Sequence, residues 1–387
     1  MRTLESSRLR FVGHSDLAGC GDGMQIMKVG DALYVGHLGT SKAATSVLDV
    51  SDPATPRMVK QFTHSPGSHS HKVQTADGLL LVNEERFRGG DPFSAGMFVY
   101  DIADPFTPEQ IGYFRSGGKG VHRIVWTGGR YAYTSAVPDG FDDRIFLIVD
   151  VADPEQPREV GRWWWPGTRK DEDATVVPAG KRYAAHHALL DGDVAYLAYG
   201  DAGLVVLDLH DPSAPQQVGH LAWSPGGDTH TCMPLPSRSL VVVTDEAVKD
   251  RCEEEQKLVR ILDVSDATHL RVVGTCPPPQ GDFCDRGLRF GPHNLHENRH
   301  GSYMSESLIF VTYFNAGLRV YDIGDPAEPV EIAYWVPEAA PGQPTTQIND
   351  LFVGNDGTIF VTDRVGGGLY VLRPEDDLLV VMEAARL

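Results

Sequence analysis

Several common signatures are missing from this chain of 387 residues. It has no G-x-G-x-x-G after a strand, no Walker lysine motif and no G-x-S-x-G elbow, so nucleotide cofactors and serine hydrolysis lose support. No apolar run approaches the roughly 18 residues of a membrane span, and the first residues lack the apolar segment of a signal peptide. We therefore expect a soluble, cytoplasmic protein without a membrane partner.

Positive charge is scarce as well. The formal net charge is −19, and such a chain offers no basic face to neutralise phosphates, which is the dominant contribution to nucleic-acid affinity. We therefore expect no nucleic-acid partner.

Cysteine is limited to five residues, with no C-x-x-C pair and an odd total. Cys252, Cys276 and Cys284 lie fairly close together in the sequence. We expect mostly reduced thiols, with a local disulfide as the alternative.

The chain is rich in apolar residues and in turn formers. Hydrophobic residues make up 41%, alongside 41 glycines and 26 prolines, which is typical of a core-forming chain interrupted by many turns. Six similar segments recur: VLDVSDPATPRMVKQF, VYDIADPFTPEQIGYF, IVDVADPEQPREVGRW, VLDLHDPSAPQQVGHL, ILDVSDATHLRVVGTC and VYDIGDPAEPVEIAYW. Their first aspartates are Asp49, Asp101, Asp150, Asp208, Asp263 and Asp322. The spacing of roughly 50 to 60 residues is the period of a four-stranded propeller blade.

Each segment predicts a strand, a D-P-x-x-P turn and a second strand. Proline fixes φ and removes a hydrogen-bond donor where the chain leaves the ladder, and aspartate can bond the turn backbone. Two inner strands around a glycine-containing turn precede most segments, as in HRIVWTGGRYAYTSA. The last blade lacks a fourth strand, and RLRFVGHSDL near the N-terminus resembles it, so we expect this strand to close the ring.

The sequence thus predicts an all-β fold, a seven-bladed β-propeller closed by the N-terminal strand pairing into the last blade. It forms one domain over residues 1–387. The predicted blades cover approximately 24–62, 71–114, 122–163, 186–221, 230–276, 293–335 and 348–374, the last completed by 8–14.

The segment IFLIVDVADPEQPREVG resembles the LVIVD repeat of a bacterial propeller family. The resemblance extends over about residues 8 to 374. It implies the propeller fold and says little about activity, because one fold hosts many functions.

Histidines recur at the start of the inner strands. These are His71, His122, His186 or His187, His230 and His293, with Asn349 or Asp350 in the last blade. Innermost strands line the channel of a propeller, so equivalent positions form a ring around one end. Neutral imidazole is the commonest metal-binding side chain, and such a ring suits Fe, Mn, Cu or Zn. We predict a divalent transition metal, with iron first; a polar channel plug is the alternative.

Other polar residues are expected on the same face. The second strands end at Glu84, Glu85, Asp245, Glu246 and Arg364, which are the candidate catalytic residues, with Glu84 and Asp245 preferred because they align with each other. Long loops on this side supply Arg86, Phe283 and Phe290 as candidate substrate-binding residues, and His69, His296 and Asp350 beside the inner strands complete that set. Whether His69 or His296 also binds the metal is open. The insertion ENRHGSYMSES is expected on the opposite face.

Three functions fit this pattern. The first is an Fe or Cu oxygenase or oxidase acting on a small organic substrate. In architecture such a site resembles the carotenoid-cleavage oxygenases and the selenium-binding-protein family of thiol oxidases, without their sequence motifs. The second is a redox-neutral Mn- or Zn-dependent lyase, hydratase, isomerase or hydrolase. The third is a non-catalytic binding scaffold. A homo-oligomer is compatible with all three.

Overall fold

The computed structural model describes residues 3–87 and 95–387, and most of them lie in antiparallel strands. Two strands come first in the chain, β1 (Thr3–Ser7) and β2 (Leu9–Ser15). The first blade contains β3 (Gly23–Val29), β4 (Ala32–His37), β5 (Ala43–Asp49) and β6 (Arg57–Thr63). The second contains β7 (Ser68–His69), β8 (Val73–Ala76), β9 (Leu79–Arg86), β10 (Gly96–Asp101) and β11 (Glu109–Arg115).

The next three blades have four strands each. The third contains β12 (Gly120–Val125), β13 (Tyr131–Val137), β14 (Ile145–Asp150) and β15 (Arg158–Trp163). The fourth contains β16 (Ala188–Asp191), β17 (Val194–Ala198), β18 (Leu204–Asp208) and β19 (Gln216–Leu221). The fifth contains β20 (Thr229–Leu235), β21 (Leu240–Asp245), β22 (Val259–Asp263) and β23 (Arg271–Thr275).

The last two blades receive the N-terminal strands. The sixth contains β24 (Leu308–Thr312), β25 (Leu318–Asp322) and β26 (Val330–Pro337), and the seventh contains β27 (Ile348–Val353), β28 (Ile359–Asp363) and β29 (Gly368–Pro374). β2 pairs with β29, which confirms the predicted closure, and β1 pairs with the outer edge of β26. The second pairing was not anticipated. One N-terminal segment therefore covers the outer edges of two blades and leaves neither open to another chain.

The apolar runs of the repeats are the third strands of the blades. All six residues of β14, IFLIVD, are buried, whereas the neighbouring β15 is only partly buried. A strand reads as continuously apolar when both of its faces are packed, and here each face meets an adjacent blade. Aspartate side chains stabilise the D-P-x-x-P turn that follows the third strand, as expected. Asp49 Oδ1 accepts from the Ser51 backbone N–H at 3.0 Å, and Asp52 Oδ1 accepts from that of Ala54 at 3.0 Å.

A glycine in the outer strand allows each blade to approach the next one. A Cβ added at Gly161 would lie 1.9 Å from the carbonyl oxygen of Pro212, in the D-P-x-x-P turn of the following blade. The equivalent contacts would be 2.0 Å for Gly112 and 1.7 Å for Gly274. These glycines are therefore needed for close blade packing, because any side chain would overlap backbone.

Replacing Gly161 with Ala should weaken the third and fourth blades. The overlap is with backbone, so relief needs a shift of a whole blade edge, and we expect a loss near the upper end of the roughly 1–3 kcal/mol typical of overpacking. Chemical denaturation measures it. Gly324→Ala is the control because its nearest neighbour is the Asp322 side chain at 3.1 Å; equal stability of both variants would contradict this account.

A single helix, α1 (Asp376–Ala384), follows the last strand and buries Leu378 and Met382 against the sixth and seventh blades. No helix among the described residues has the length and apolar character that a membrane span requires.

The cysteines depart in part from the expectation. Cys252 and Cys284 form a disulfide, whereas Cys20, Cys232 and Cys276 are free thiols. The local disulfide, which the sequence left as the alternative, is therefore present. It joins two of the long loops on the histidine face.

Candidate metal centre

Five histidines from five consecutive blades form an arc at one mouth of the channel. The distances between neighbouring ring centres are 4.8 Å for His71–His122, 5.1 Å for His122–His186, 3.8 Å for His186–His230 and 4.2 Å for His230–His293. Asn349 holds the same place in the seventh blade. The histidines are thus brought together as the repeat alignment predicted.

Irregular pairing places these side chains. The register between the two inner strands shifts between Val121 and Arg123 in the third blade and between Thr229 and Thr231 in the fifth. His122 and His230 are the extra residues of these bulges. A bulged residue lies outside the ladder and its side chain can be re-aimed, which is why bulges are frequent beside functional sites.

Hydrogen bonds determine which imidazole nitrogens carry a proton. His186 Nδ1 lies 2.8 Å from the carbonyl oxygen of His230, and a carbonyl only accepts, so this nitrogen donates. His122 Nδ1 lies 2.7 Å from Glu85 Oε2 and donates to that carboxylate. In a neutral imidazole the other nitrogen is then an acceptor. The Nε2 atoms of His122 and His186 nevertheless face each other at 3.2 Å, so two lone pairs point at the same space.

The ring is electrically neutral. Burial and the charge of Arg144 lower the pKa of His122 to about 3, although Glu85 opposes the shift. Burial and neighbouring positive charge also lower the pKa of His71, His186, His230 and His293 well below the usual value. Neutral imidazoles present the lone pairs that metal ions bind.

Two carboxylates stand at opposite parts of the arc. Glu85 accepts from His69 Nε2 and His122 Nδ1, both at 2.7 Å. Burial raises the pKa of Glu85, but the hydrogen bonds that it accepts from His122 and His69 outweigh burial and lower this pKa. Glu246 lies 3.8 Å from His230 Nε2 and 3.7 Å from His293 Nε2. Two groups could therefore hold a metal ion: His69, His71, Glu85 and His122, and His230, Glu246 and His293.

The preference for Glu84 and Asp245 was wrong. Glu84 accepts from Tyr113 Oη at 2.8 Å, and Asp245 is fully buried in an ion pair with Arg260. Successive residues of a strand point to opposite faces, so only the second acidic residue of each pair faces the channel. Glu85 and Glu246 are therefore the carboxylates of the site.

Replacing Glu85 with Gln should weaken metal binding by roughly 10- to 100-fold, the usual cost of losing the partner that orients a metal-binding histidine. Glu84→Gln is the matched control, because it removes the adjacent carboxylate on the other face of the same strand. Competition titration with a metal-binding dye measures both. Equal affinities for the two variants would contradict the assignment.

A second polar ring lies one residue further along each inner strand. Its members are Lys72, Arg123, His187, Thr231, Asn294 and Asp350. His187 is thereby corrected from a metal ligand to a member of this deeper ring, since its Nε2 lies 3.3 Å from Glu297 Oε1. Asp350 also lies here, 3.9 Å from Arg123, which corrects its assignment to the substrate-binding set at the mouth.

The second ring is charged and buried. Arg123 Nη2 donates to Glu297 Oε1 at 3.0 Å. Burial and the charge of Arg123 lower the pKa of Lys72 to about 7. Burial raises the pKa of Asp350 to about 6, although Arg123 and Lys72 oppose the shift.

The insertion after His296 lies at the opposite end of the channel, on the face where it was expected. Arg299 donates to the carbonyl oxygens of Thr75 at 2.9 Å and Trp126 at 3.0 Å, at the far ends of two inner strands. Its other nitrogen donates to Gln74 Oε1 at 2.8 Å. Arg299 therefore links the insertion to the ends of two inner strands on the face opposite the histidines.

Three further candidates lie away from the ring. His296 uses both ring nitrogens on backbone, since Nε2 donates to the Tyr303 carbonyl at 2.8 Å and Nδ1 accepts from the Val353 N–H at 3.3 Å. Phe283 is 2% exposed and belongs to the core, with Phe290 stacked on it at 5.2 Å. These contacts anchor the three residues in the fold, and their role in binding a substrate stays a prediction.

The other two substrate-binding candidates, His69 and Arg86, lie in different places. His69 stacks on Phe87 at 4.2 Å and belongs to the first metal-binding group. Arg86 follows Glu85 on the same strand and therefore points away from the ring; it lines a separate cavity of about 340 Å³ with Lys119 and Lys170.

Phe314, Arg289 and Arg364 complete the mouth, and only Arg364 was predicted. The Phe314 ring lies 4.7 Å from that of His293, and the guanidinium groups of Arg364 and Arg289 lie over Phe314 at 4.7 and 5.8 Å. Phe314 has a φ of 45°, a conformation that bulky residues rarely adopt. No pattern in the sequence marks a loop phenylalanine of this kind.

Comparison with known proteins agrees with the fold. The LVIVD repeat model matches residues 185–222 and 303–334, which lie in the fourth and sixth blades. The chain contains LVIVD repeats. No curated protein matches this LVIVD-repeat chain.

Solved structures resemble the LVIVD-repeat propeller with little sequence identity. A hypothetical selenium-binding protein from Sulfolobus tokodaii has a TM-score of 0.55 and 15% identity, with 89% of this chain and 92% of that chain covered. The computationally designed protein Ika8 has a TM-score of 0.51 and 9% identity, with 93% and 97% covered. At such identities these likenesses support the propeller fold alone.

Proposed function

We propose that this LVIVD-repeat propeller is a metal-dependent enzyme that holds a divalent transition metal, with iron or copper preferred, on its histidine ring. The reaction we propose is that of an oxygenase or oxidase acting on a small organic substrate. The observation that carries the proposal is the pair of facing lone pairs on His122 and His186. Two such acceptors at 3.2 Å repel each other unless a cation lies between them.

The separation of these nitrogens also fits a metal. Two ligand atoms about 2.1 Å from one ion, at angles between 90° and tetrahedral, are separated by about 3.0 to 3.4 Å. His71 adds support, because its Nε2 is buried without a hydrogen-bond partner among the described residues. The residues present therefore fit a metal ion.

The donor set indicates the kind of metal. Imidazole ligands with one or two carboxylates suit Fe, Cu, Mn and Zn better than Ca or Mg, which prefer oxygen. A redox-active ion bound there would supply O₂ and electron chemistry. The protein's own residues would orient the ligands through Glu85 and hold the second carboxylate through Arg289.

A redox-neutral reaction with Mn or Zn is the second candidate, and Glu246 is the observation that favours it. This carboxylate lies close to two imidazoles and is held by Arg289 Nη1 at 2.9 Å. A positioned carboxylate beside a metal can move a proton. Such a reaction would need no O₂.

The test is anaerobic reconstitution of the untagged protein with Fe(II), Cu, Mn(II) and Zn(II), one at a time. Elemental analysis gives the metal content per chain, and electronic and paramagnetic spectra recorded under nitrogen and then air report the reaction with O₂. We expect stoichiometric iron or copper whose spectrum changes on exposure to air. Stoichiometric zinc or manganese without any response to air would favour the redox-neutral candidate, and no stoichiometric metal would refute both.

A further inference from the structure

Hydrogen-bond donors without acceptors collect on the side of the ring that lacks a histidine. The arc occupies blades two to six, and the seventh blade contributes Asn349 and Arg364 instead. Asn349 Oδ1 faces Arg364 Nη1 at 3.5 Å, which assigns the amide orientation and leaves Asn349 Nδ2 pointing elsewhere. That Nδ2 is buried and has no partner among the described residues.

Among the described residues, no carboxylate forms an ion pair with Arg364. Its hydrogen bond to Asn349 is long, and its other close contact is the face of Phe314. Glu246 is the nearby acidic residue at the mouth, but Arg289 engages it at 2.9 Å. Arg364 is half-buried, so its guanidinium group remains reachable from the mouth.

We propose that Arg364 and Asn349 Nδ2 form a binding subsite for the carboxylate of a small organic acid, next to His293. A buried donor without a partner is costly, and an anionic oxygen beside Arg364 would satisfy Asn349 Nδ2. The planar guanidinium group of arginine presents paired N–H donors that match the two oxygens of a carboxylate. This inference rests on the proposed function and names its substrate class: an anionic molecule whose carboxylate lies at the seventh blade and whose reacting part faces the histidines.

Strain at Phe314 is consistent with such a subsite. This residue adopts its rare backbone conformation between the two arginines and His293, and backbone strain tends to collect at ligand-binding positions. Its ring packs against the Arg364 guanidinium, and this contact is not a hydrogen bond that would use an N–H donor. The arginine is therefore held ready for a ligand without being neutralised.

The experiment is an NMR-detected titration of metal-free protein, and then of metal-loaded protein, with acetate, benzoate, acetamide and inorganic phosphate. We expect the carboxylates to bind and acetamide, the neutral counterpart of acetate, to bind at least 10-fold more weakly. Arg364→Gln should weaken carboxylate binding roughly 10- to 100-fold, as for loss of a charged hydrogen bond. The metal content per chain should remain that of the unchanged protein.

Arg271→Gln is the matched control, since this exposed arginine pairs with Asp263 in an outer strand. Asn349→Asp is the second variant: it sets a carboxylate against Arg364, keeps the backbone oxygen that accepts from His293, and should abolish carboxylate binding. Binding unaffected by both site variants, binding of phosphate alone, or no binding in either form would each overturn the inference. Carboxylate binding in a protein that takes up no metal would instead refute only the proposed function.

Discussion

Replacing His122 with Ala is expected to remove the bound metal. This histidine is held by Glu85, and its free nitrogen faces that of His186 at 3.2 Å, so its loss removes both a ligand and the oriented pair. The fall in affinity should exceed the roughly 10- to 100-fold that follows loss of an outer partner alone. Elemental analysis after reconstitution measures it. A variant that still binds one equivalent with unchanged affinity would contradict the site.

The same change should leave the fold intact. The His122 side chain is 17% exposed, and Glu85 keeps its hydrogen bond to His69 when His122 is lost. His210→Ala is the matched control, because that side chain is 88% exposed on the outer surface. We expect this control to bind metal like the unchanged protein, and both variants to unfold at similar denaturant concentrations.

The repeat explains why so much of the fold could be predicted. The D-P-x-x-P turns and the buried third strands recur in nearly every blade, so the strands assigned in one repeat support those assigned in the others. The closing role of residues 8–14 followed from the same comparison. Pairing of β1 with the sixth blade could not be found this way, because the repeat of that blade already has its D-P-x-x-P turn and outer strand, and β1 resembles no missing element.

The histidine ring was predictable for the same reason, but the orientation of neighbouring residues was not. His186 and His187, or Glu84 and Glu85, are adjacent, and the choice between them depends on where a bulge or a short strand begins. A shift of one residue turns a side chain to the other face. The second ring had a visible signal, since the residue after each ring position is polar in six blades, from Lys72 to Asp350. No signal in the sequence indicated Phe314 or Arg289, because loop contacts depend on tertiary packing.

Removal of the Asp245 carboxylate is the second change with a large expected effect. It should affect the stability of the fold rather than the binding of metal. Asp245 is fully buried and ion-paired with Arg260, and it also accepts from Trp223 Nε1 at 3.1 Å and Thr229 Oγ1 at 3.1 Å. Burial raises its pKa to about 6, although Arg260 opposes the shift, so the group is ionised at pH 8. Breaking a buried ion pair by removing one partner typically costs about 3–5 kcal/mol, because the other charge stays buried.

Asp245→Ala should therefore lower the free energy of unfolding by about 3–5 kcal/mol at pH 8, measured by chemical denaturation. Replacing Arg260 with Leu in the same chain should recover part of this loss, because no buried charge is then left without a partner. Glu246→Gln is the matched comparison one residue along, on the face of the ring: it should reduce metal affinity with little effect on stability. If Asp245→Ala instead removed the metal from a fully folded protein, the assignment of Asp245 as the structural carboxylate and Glu246 as the channel-facing one would be wrong.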